Sequence, residues 1–206
     1  MIIKMIGISL LAYFLGNFSP SFLAGKLFRN IDIREHGSGN AGTTNVIRVI
    51  GWKIGAGVFI IDIVKGCLVV FLGDTLGGEL GIILAGFFVV IGHNFPILLN
   101  FRGGKGVAAT AGIFLYLFPI PTLIAALLFA LIVLLTRMVS VGSLSFVLLM
   151  IGFTIFTQQS GPIIMLTTGL AIFVFIRHKT NIQRILQGKE NKLSFGQKTK
   201  INSPTS

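Results

Sequence analysis

Seven long apolar segments constrain this chain more than any other feature of its sequence. They lie at about residues 5–24, 54–73, 80–99, 107–118, 121–136, 141–157 and 161–176. A helix rises ~1.5 Å per residue, so several of these segments can cross a ~30 Å hydrocarbon core. Hydrophobic residues make up 53% of the chain, which is more than one soluble core requires. We therefore predict an all-α integral membrane protein, a polytopic bundle of about seven transmembrane helices.

The segment 107–118 is the weakest of the seven. Its helix would reach only ~18 Å, and Pro119 and Pro121 interrupt the chain directly after it. Segments 107–118 and 121–136 either span the bilayer fully or form a thin hairpin. In both cases the chain returns to the side from which it entered, so the sidedness of the later connections is the same.

The net charge of +11 is unevenly distributed. Lys and Arg cluster after the first, third, fifth and seventh segments, whereas the even-numbered connections carry neither. Because basic connections stay in the cytoplasm, we predict an outside N-terminus and a cytoplasmic C-terminus. Residues 1–206 show no soluble domain or repeat, so they are predicted to form a single membrane domain with a polar tail from about residue 188.

The first polar cluster reads GSGNAGTTNVIR over residues 37–48. Its glycines allow backbone N–H groups to approach an anion and form a concave nest. Arg48 adds a guanidinium that can bind phosphate with two hydrogen bonds, and Ser38 adds a hydroxyl. An interfacial turn between two spans is the structural alternative.

The second cluster combines GHNFP at residues 92–96 with FRGGKG at residues 101–106. A glycine loop with Lys105 before a helix favours phosphate, because amides and the helix dipole converge there. Val107 stands where a Walker A loop has its Mg²⁺-binding hydroxyl, so no nucleotide is predicted. A flexible basic turn is the alternative.

The third cluster reads RHKTNIQRILQGKENK over residues 177–192. In a helix, His178 and Asn181 lie three residues apart and share a face. A histidine near its ordinary pKa can exchange a proton, and the amide can fix its tautomer or hold a substrate oxygen. The alternative is a polar residue that only reaches towards the interface. A fourth turn, RMVSVGS at residues 137–143, brings Ser143 to the same side.

Carboxylates are scarce near these clusters, and the three histidines lack metal-ligand spacing. No cofactor or metal is therefore predicted. Asp62 and Lys65 lie three residues apart inside the second segment, where charges are often functional. We favour a structural ion pair for them.

The motifs are similar to those of the bacterial acyl-phosphate-dependent glycerol-3-phosphate acyltransferases. They match Gly-Ser-Gly-Asn-x-Gly-x-Thr-Asn-x-x-Arg, then Gly-His-x-Phe-Pro with Phe-x-Gly-Gly-Lys-Gly-Val-Ala, then His-x-x-Asn-Ile-x-Arg-x-x-x-Gly-x-Glu-Asn-Lys. The resemblance extends from the first segment to about Lys192 with order and spacing intact.

The resemblance implies transfer of a fatty acyl group from acyl phosphate to the sn-1 hydroxyl of glycerol 3-phosphate. The products are lysophosphatidic acid and phosphate, in the first acylation of phospholipid synthesis. It also implies a location in the bacterial inner membrane, an active site facing the cytoplasm, and contact with the enzyme that supplies acyl phosphate.

The resemblance further implies roles for individual residues. The implied catalytic residues are Ser38, Arg48, Lys105, His178 and Asn181. The implied substrate-binding residues are Asn40, Thr44, Gly103, Gly104, Gly106 and Ser143. Glu190 is implied to be structural.

Our mechanistic hypothesis is direct attack of the glycerol hydroxyl on the acyl carbonyl, with either His178 or a substrate phosphate oxygen accepting the proton. Ser38 as a covalent nucleophile is the rival mechanism. A phosphate or glycerol-phosphate transporter is the alternative of a different class. An acyltransferase that uses acyl-CoA is the nearest enzymatic competitor, although its usual histidine followed five residues later by aspartate is absent.

Overall fold

The computed structural model describes residues 1–193, which form α-helices and connecting turns without a strand. Residues 194–206, with most of the predicted polar tail and with Lys198 and Lys200, lie outside the described part. Nine α-helices occupy the described range: α1 Ile2–Asn17, α2 Pro20–Arg29, α3 Thr43–Val49, α4 Trp52–Asn94, α5 Val107–Leu117, α6 Pro119–Thr136, α7 Val139–Phe156, α8 Gly161–Arg177 and α9 Lys179–Leu186.

Large apolar side chains cover the outside of the bundle. Leu127, Leu135 and Met165 are each more than 70% exposed, as expected where the solvent is lipid. Within residues 1–193, four helical stretches are long and apolar enough to cross a membrane, or five if the bent pair α8 and α9 counts as one span. The prediction of an all-α integral membrane protein is confirmed, whereas seven crossings and their orientation stay predictions.

Helix α4 is too long for one crossing, and Gly78 divides it. Its 43 residues would extend ~65 Å as a straight helix, about twice the hydrocarbon thickness. Gly78 adopts φ 58° and ψ −147°, a conformation that bends the chain sharply. Gly73 and Gly81 then pack backbone against backbone. The two limbs, residues 52–77 and 79–94, run antiparallel and match the predicted segments 54–73 and 80–99.

Glycines also permit the close crossings between α4 and its neighbours. Gly16 in α1 and Gly92 in the second limb lie so close that a Cβ on either would overlap the backbone of the other helix. Gly66 in the first limb is packed against Ala109 of α5 in the same way, and Gly112 of α5 against the first limb. Such small-residue contacts are typical of helices packed in lipid.

Two predicted segments are interrupted or bent. The segment 5–24 breaks after Asn17, where Ser19 accepts a hydrogen bond from the Phe22 N–H and Pro20 begins α2. α8 and α9 meet at His178 with a bend of 62°. Both breaks lie at the end of the bundle that also carries residues 37–48, 92–106 and 177–192, here called the motif end.

The Gly73–Gly81 contact generates a prediction about stability. In Gly81→Ala the added Cβ would overlap the Gly73 carbonyl oxygen, and overpacking of this kind costs about 1–3 kcal/mol. We expect the melting temperature in detergent to fall by several degrees. Gly57→Ala is the matched control, because a Cβ at Gly57 of the same helix meets no atom within 4 Å. Equal melting temperatures for the two variants would contradict this packing.

Candidate active site

Asn45 shapes the loop of the first motif. Its buried side chain accepts a hydrogen bond from the Ser38 N–H at 2.8 Å and donates to the carbonyls of Ile33 and His36, both at 2.9 Å. Gly37 has φ +62°, and a Cβ there would overlap the amide oxygen of Asn45. The loop before α3 is thus folded around one amide, which leaves Ser38 exposed and Asn40 and Thr44 half-buried.

The Gly-rich loop of the second motif is fixed by its own backbone. The N–H groups of Gly103 and Gly104 donate to the carbonyls of Asn94 and His93, at 3.3 and 3.1 Å. Those two N–H groups are therefore engaged within the fold. The predicted phosphate site at this loop stays a prediction, and the side chain of Lys105 is the cationic group that the loop presents beside Asn181.

Arg177 and Ala41 join this loop to the other motifs. Arg177, directly before His178, donates to the carbonyls of Gly103 and Gly104 at 2.8–3.1 Å. A Cβ on Gly104 would meet the Ala41 carbonyl oxygen, at 2.9 Å, on one side and the His93 ring on the other. Gly104 is therefore enclosed by the first and second motifs, and only glycine fits there.

Lys105 reaches the third motif through Asn181. Its ammonium donates to the Asn181 side-chain oxygen, and the Asn181 NH₂ donates to Glu190 Oε1 at 2.6 Å. Ser140, in the first turn of α7, donates to the same Glu190 oxygen at 3.0 Å, and Arg184 donates to Oε2 at 3.1 Å. Glu190 is buried and so connects α7 with α9.

Positive charge dominates this region. Glu190 interacts electrostatically with Arg48 and Lys105 and bonds Arg184, and Arg177 lies close to Lys105. Burial lowers the pKa of Lys105 to about 8, against the attraction of Glu190. Burial also lowers the pKa of Arg48. Four cations and one carboxylate leave an excess positive charge that an anionic substrate would neutralise.

His178 lies in this cluster, just beyond the last residue of α8. Its Nδ1 is 2.7 Å from the Val174 carbonyl, so Nδ1 carries the proton and Nε2 is left as an acceptor. Burial first, and then the nearby Lys105 charge, lower its pKa to about 4. With this pKa the His178 imidazole stays neutral even in mildly acidic solution and is a weaker base than an ordinary histidine.

Most predicted site residues meet at the motif end, but Ser143 has another partner. Its hydroxyl donates to the Val139 carbonyl within α7 at 2.9 Å. Ser140, one turn earlier, is the serine that contacts Glu190. Sequence reasoning did not single out Ser140, Asn45 or Arg177. Asn45 and Arg177 stood inside recognised motifs, but their structural roles depend on contacts that no local pattern reveals.

The fold and the site define a membrane-embedded protein that collects cations, amides and a neutral imidazole at one end of its helices. The chain belongs to the glycerol-3-phosphate acyltransferase family, whose model matches residues 6–188.

Individual relatives agree. The chain is 43% identical over 193 residues to the glycerol-3-phosphate acyltransferase of Thermoanaerobacter sp. (strain X514), covering 94% of this chain and 96% of that protein. It is 41% identical over 207 residues to that of Enterococcus faecalis, covering 96% and 95%. The crystal structure of PlsY (YgiH), an integral membrane glycerol 3-phosphate acyltransferase, in its glycerol 3-phosphate form matches with a TM-score of 0.88 and 30% identity, covering 92% and 96%.

The lowered pKa of Lys105 predicts pH-dependent anion binding. Lys105 is protonated below about pH 8 and loses its charge above it, so affinity for glycerol 3-phosphate should fall between pH 7 and pH 9. Titration calorimetry at both pH values measures this. Lys105→Arg keeps its charge across the range and should show a flat profile, even if its affinity is lower throughout. Equal pH dependence in the two proteins would assign the effect to another group.

Proposed function

We propose that this membrane acyltransferase moves a fatty acyl group from acyl phosphate to the sn-1 hydroxyl of glycerol 3-phosphate, yielding lysophosphatidic acid and phosphate. The observation that carries the proposal is the contact of Lys105 with Asn181 inside the cluster of Arg48, Arg177 and Arg184. Two phosphate-bearing substrates require this excess of positive charge. The related PlsY structures are described as a glycerol 3-phosphate form and a lysophosphatidic acid form.

In the proposed reaction the glycerol hydroxyl attacks the acyl carbonyl carbon directly. The new C–O ester bond forms, and the bond between the acyl carbon and the phosphate oxygen breaks. Phosphate leaves with the electron pair of that bond. Arg48 and Lys105 stabilise the negative charge that develops on the carbonyl and leaving oxygens. Asn181 fixes the Lys105 ammonium, and Asn40, Thr44 and Gly106 line the approach to the site.

Ser38 acts as a hydrogen-bond donor to substrate in this scheme and forms no acyl ester. A serine nucleophile needs a base within hydrogen-bond reach. Within residues 1–193 the Ser38 hydroxyl makes no hydrogen bond to a histidine, and the residue is exposed. These observations favour direct transfer.

The proton acceptor follows from the surroundings of His178. A pKa of about 4 makes its imidazole a weak base, although Nε2 can still accept a hydrogen bond from the attacking hydroxyl. A phosphate oxygen of the substrate is the better final acceptor, because its basicity is closer to neutral pH. We propose that His178 orients the hydroxyl and that phosphate takes the proton.

We also propose an orientation of the chain in the membrane that fits this function. The chain forms one domain with seven crossings, its N-terminus outside and its motif end in the cytoplasm of a bacterial cell, at the inner membrane. Support comes from the basic connections, which coincide with the motif end, and from the two limbs of α4. A cytoplasmic site open to lipid would let a soluble glycerol 3-phosphate meet an acyl phosphate delivered by its supplying enzyme.

A transporter is less well supported. Transporter sites lie near the bilayer midplane between broken helices of repeated halves. Here Lys105, His178 and Asn181 lie where helices end or begin, and the motif end carries all of the proposed binding residues. Their position fits chemistry at an interface rather than passage through the bilayer.

Donor identity is the direct test of this proposal. Purified protein in detergent is given labelled glycerol 3-phosphate with either acyl phosphate or acyl-CoA. We expect labelled lysophosphatidic acid from acyl phosphate alone. Product from acyl-CoA alone would contradict the donor assignment, and uptake of glycerol 3-phosphate into vesicles without product would support the transporter.

The role of His178 is tested by His178→Ala. If His178 only orients the hydroxyl, the turnover number should fall by less than about 100-fold, because loss of a true general base typically costs about 10²–10⁴-fold. The KM for glycerol 3-phosphate should rise, since a hydrogen bond to substrate is lost. Steady-state kinetics measure both values. A fall of 10³-fold or more in turnover at unchanged KM would identify His178 as the base.

A further inference from the structure

Three ionisable side chains that the proposed reaction does not use meet below the Gly-rich loop. Asp62 and Lys65 belong to the first limb of α4, and His93 lies near the end of the second limb. All three are at most 7% exposed. The Lys65 ammonium is 3.0 Å from Asp62 Oδ1 and 3.1 Å from His93 Nδ1. The predicted ion pair is therefore part of a larger network.

The break in the first segment supplies the other partners of Lys65. Its ammonium donates to the carbonyls of Gly16 and Phe18, at 3.3 and 2.9 Å, where α1 ends and intrahelical partners are missing. Lys65 thus ties the end of α1 to both limbs of α4. A charge at this depth is tolerated because the Lys65 ammonium is paired with the Asp62 carboxylate and hydrogen-bonded to two carbonyls and to His93.

Lys65 also sets the tautomer of His93. An ammonium can only donate, so Nδ1 of His93 accepts and its ring proton is carried by Nε2. The Asp62 oxygen is farther from Nδ1, at 3.5 Å, and does not replace Lys65 as its partner. The opposite edge of the ring, with Nε2, lies against Gly104, where a Cβ on that glycine would overlap it.

His93 therefore contacts the loop in two ways. Its carbonyl accepts the Gly104 N–H at 3.1 Å, and its ring lies against the Gly104 Cα. Gly104 immediately precedes Lys105, so a shift of the ring would move the backbone that carries the anion-binding ammonium. Among the described residues, neither Lys65 nor Asp62 makes a hydrogen bond or an ion pair with the loop.

We infer that His93 is a positioning residue for the acyl transfer, held by Lys65 and Asp62 so that its ring sets the place of Gly104 and thereby of the Lys105 ammonium. The inference rests on the proposed function of Lys105 as a phosphate-binding group. It assigns the buried charges of α4 a role in substrate affinity, beyond joining helices.

His93→Asn separates positioning from stability. The Asn Oδ1 takes the place of Nδ1 and can accept from Lys65, so the network is kept, while the ring edge that lies against Gly104 is lost. If the network only joins helices, this variant behaves as wild type. If His93 positions the loop, we expect the KM for glycerol 3-phosphate to rise about tenfold, because even a displacement of about 1 Å can cost ~100-fold. The rise in melting temperature that glycerol 3-phosphate causes should shrink in parallel.

Asp74→Asn is the matched control. Asp74 lies on the same limb twelve residues from Asp62, toward the turn at Gly78, and accepts a hydrogen bond from the Tyr116 hydroxyl at 2.6 Å. Its substitution removes a charge and a partly buried contact far from the loop, so the KM should stay at the wild-type value. An equal rise in both variants would show a general effect of loosening α4 and would overturn the inference.

If His93→Asn shows no cooperative melting transition, it is not folded and cannot test the inference. The double variant Asp62→Asn with Lys65→Met is then used instead. This double variant removes both charges at nearly constant volume and leaves His93 without its fixed partner. A raised KM supports positioning, and a wild-type KM refutes it. Wild-type turnover with acyl phosphate is measured in the same series. An inactive wild type would refute the proposed function, whereas an active wild type with unchanged variants would refute this inference alone.

Discussion

Hydrocarbon penalises every polar group that lacks a partner, and this penalty determines where the chain places its charges. Lys65 illustrates the rule, because it lies inside a transmembrane helix and is surrounded by Asp62, His93 and two carbonyls. Those carbonyls are available because α1 ends at Asn17. A break in one helix thus stabilises a charge on another, and the charge in turn fixes the histidine below the Gly-rich loop.

Glycine provides the second condition for the site. Helices in lipid gain little from apolar side chains facing one another, since lipid tails are equally apolar, so close backbone packing has to hold them together. Gly16, Gly92, Gly66 and Gly112 allow α1, α4 and α5 to approach until their backbones touch. The same closeness brings His93 against Gly104, and a larger residue at these crossings would overlap the neighbouring backbone and force the helices to shift.

The cluster of charged residues around Glu190 shows how packing lowers the pKa of basic side chains. Glu190 interacts with three cations, Lys105, Arg184 and Arg48, and Arg177 lies close to Lys105. One oxygen of Glu190 also accepts hydrogen bonds from Ser140 and Asn181. Burial and mutual repulsion disfavour the protonated forms of Lys105 and His178, and an anionic substrate relieves that repulsion. The site therefore carries unneutralised positive charge, and on the function proposed above this charge would favour the binding of phosphate groups.

The sequence by itself determined that this protein is surrounded by lipid, that it is helical and that it carries three polar motifs. The lengths of the apolar segments and the Gly-rich polar clusters are local properties that can be read directly along the chain. The sequence also indicated Lys105, His178 and Asn181 as members of one site, through the resemblance of their motifs. Only the tertiary structure decided that the Gly103 and Gly104 N–H groups are committed to His93 and Asn94, that Ser140 rather than Ser143 reaches Glu190, and that the His178 pKa is low. Those features arise from contacts between segments far apart in the chain, and burial and distance are set only when the helices have packed.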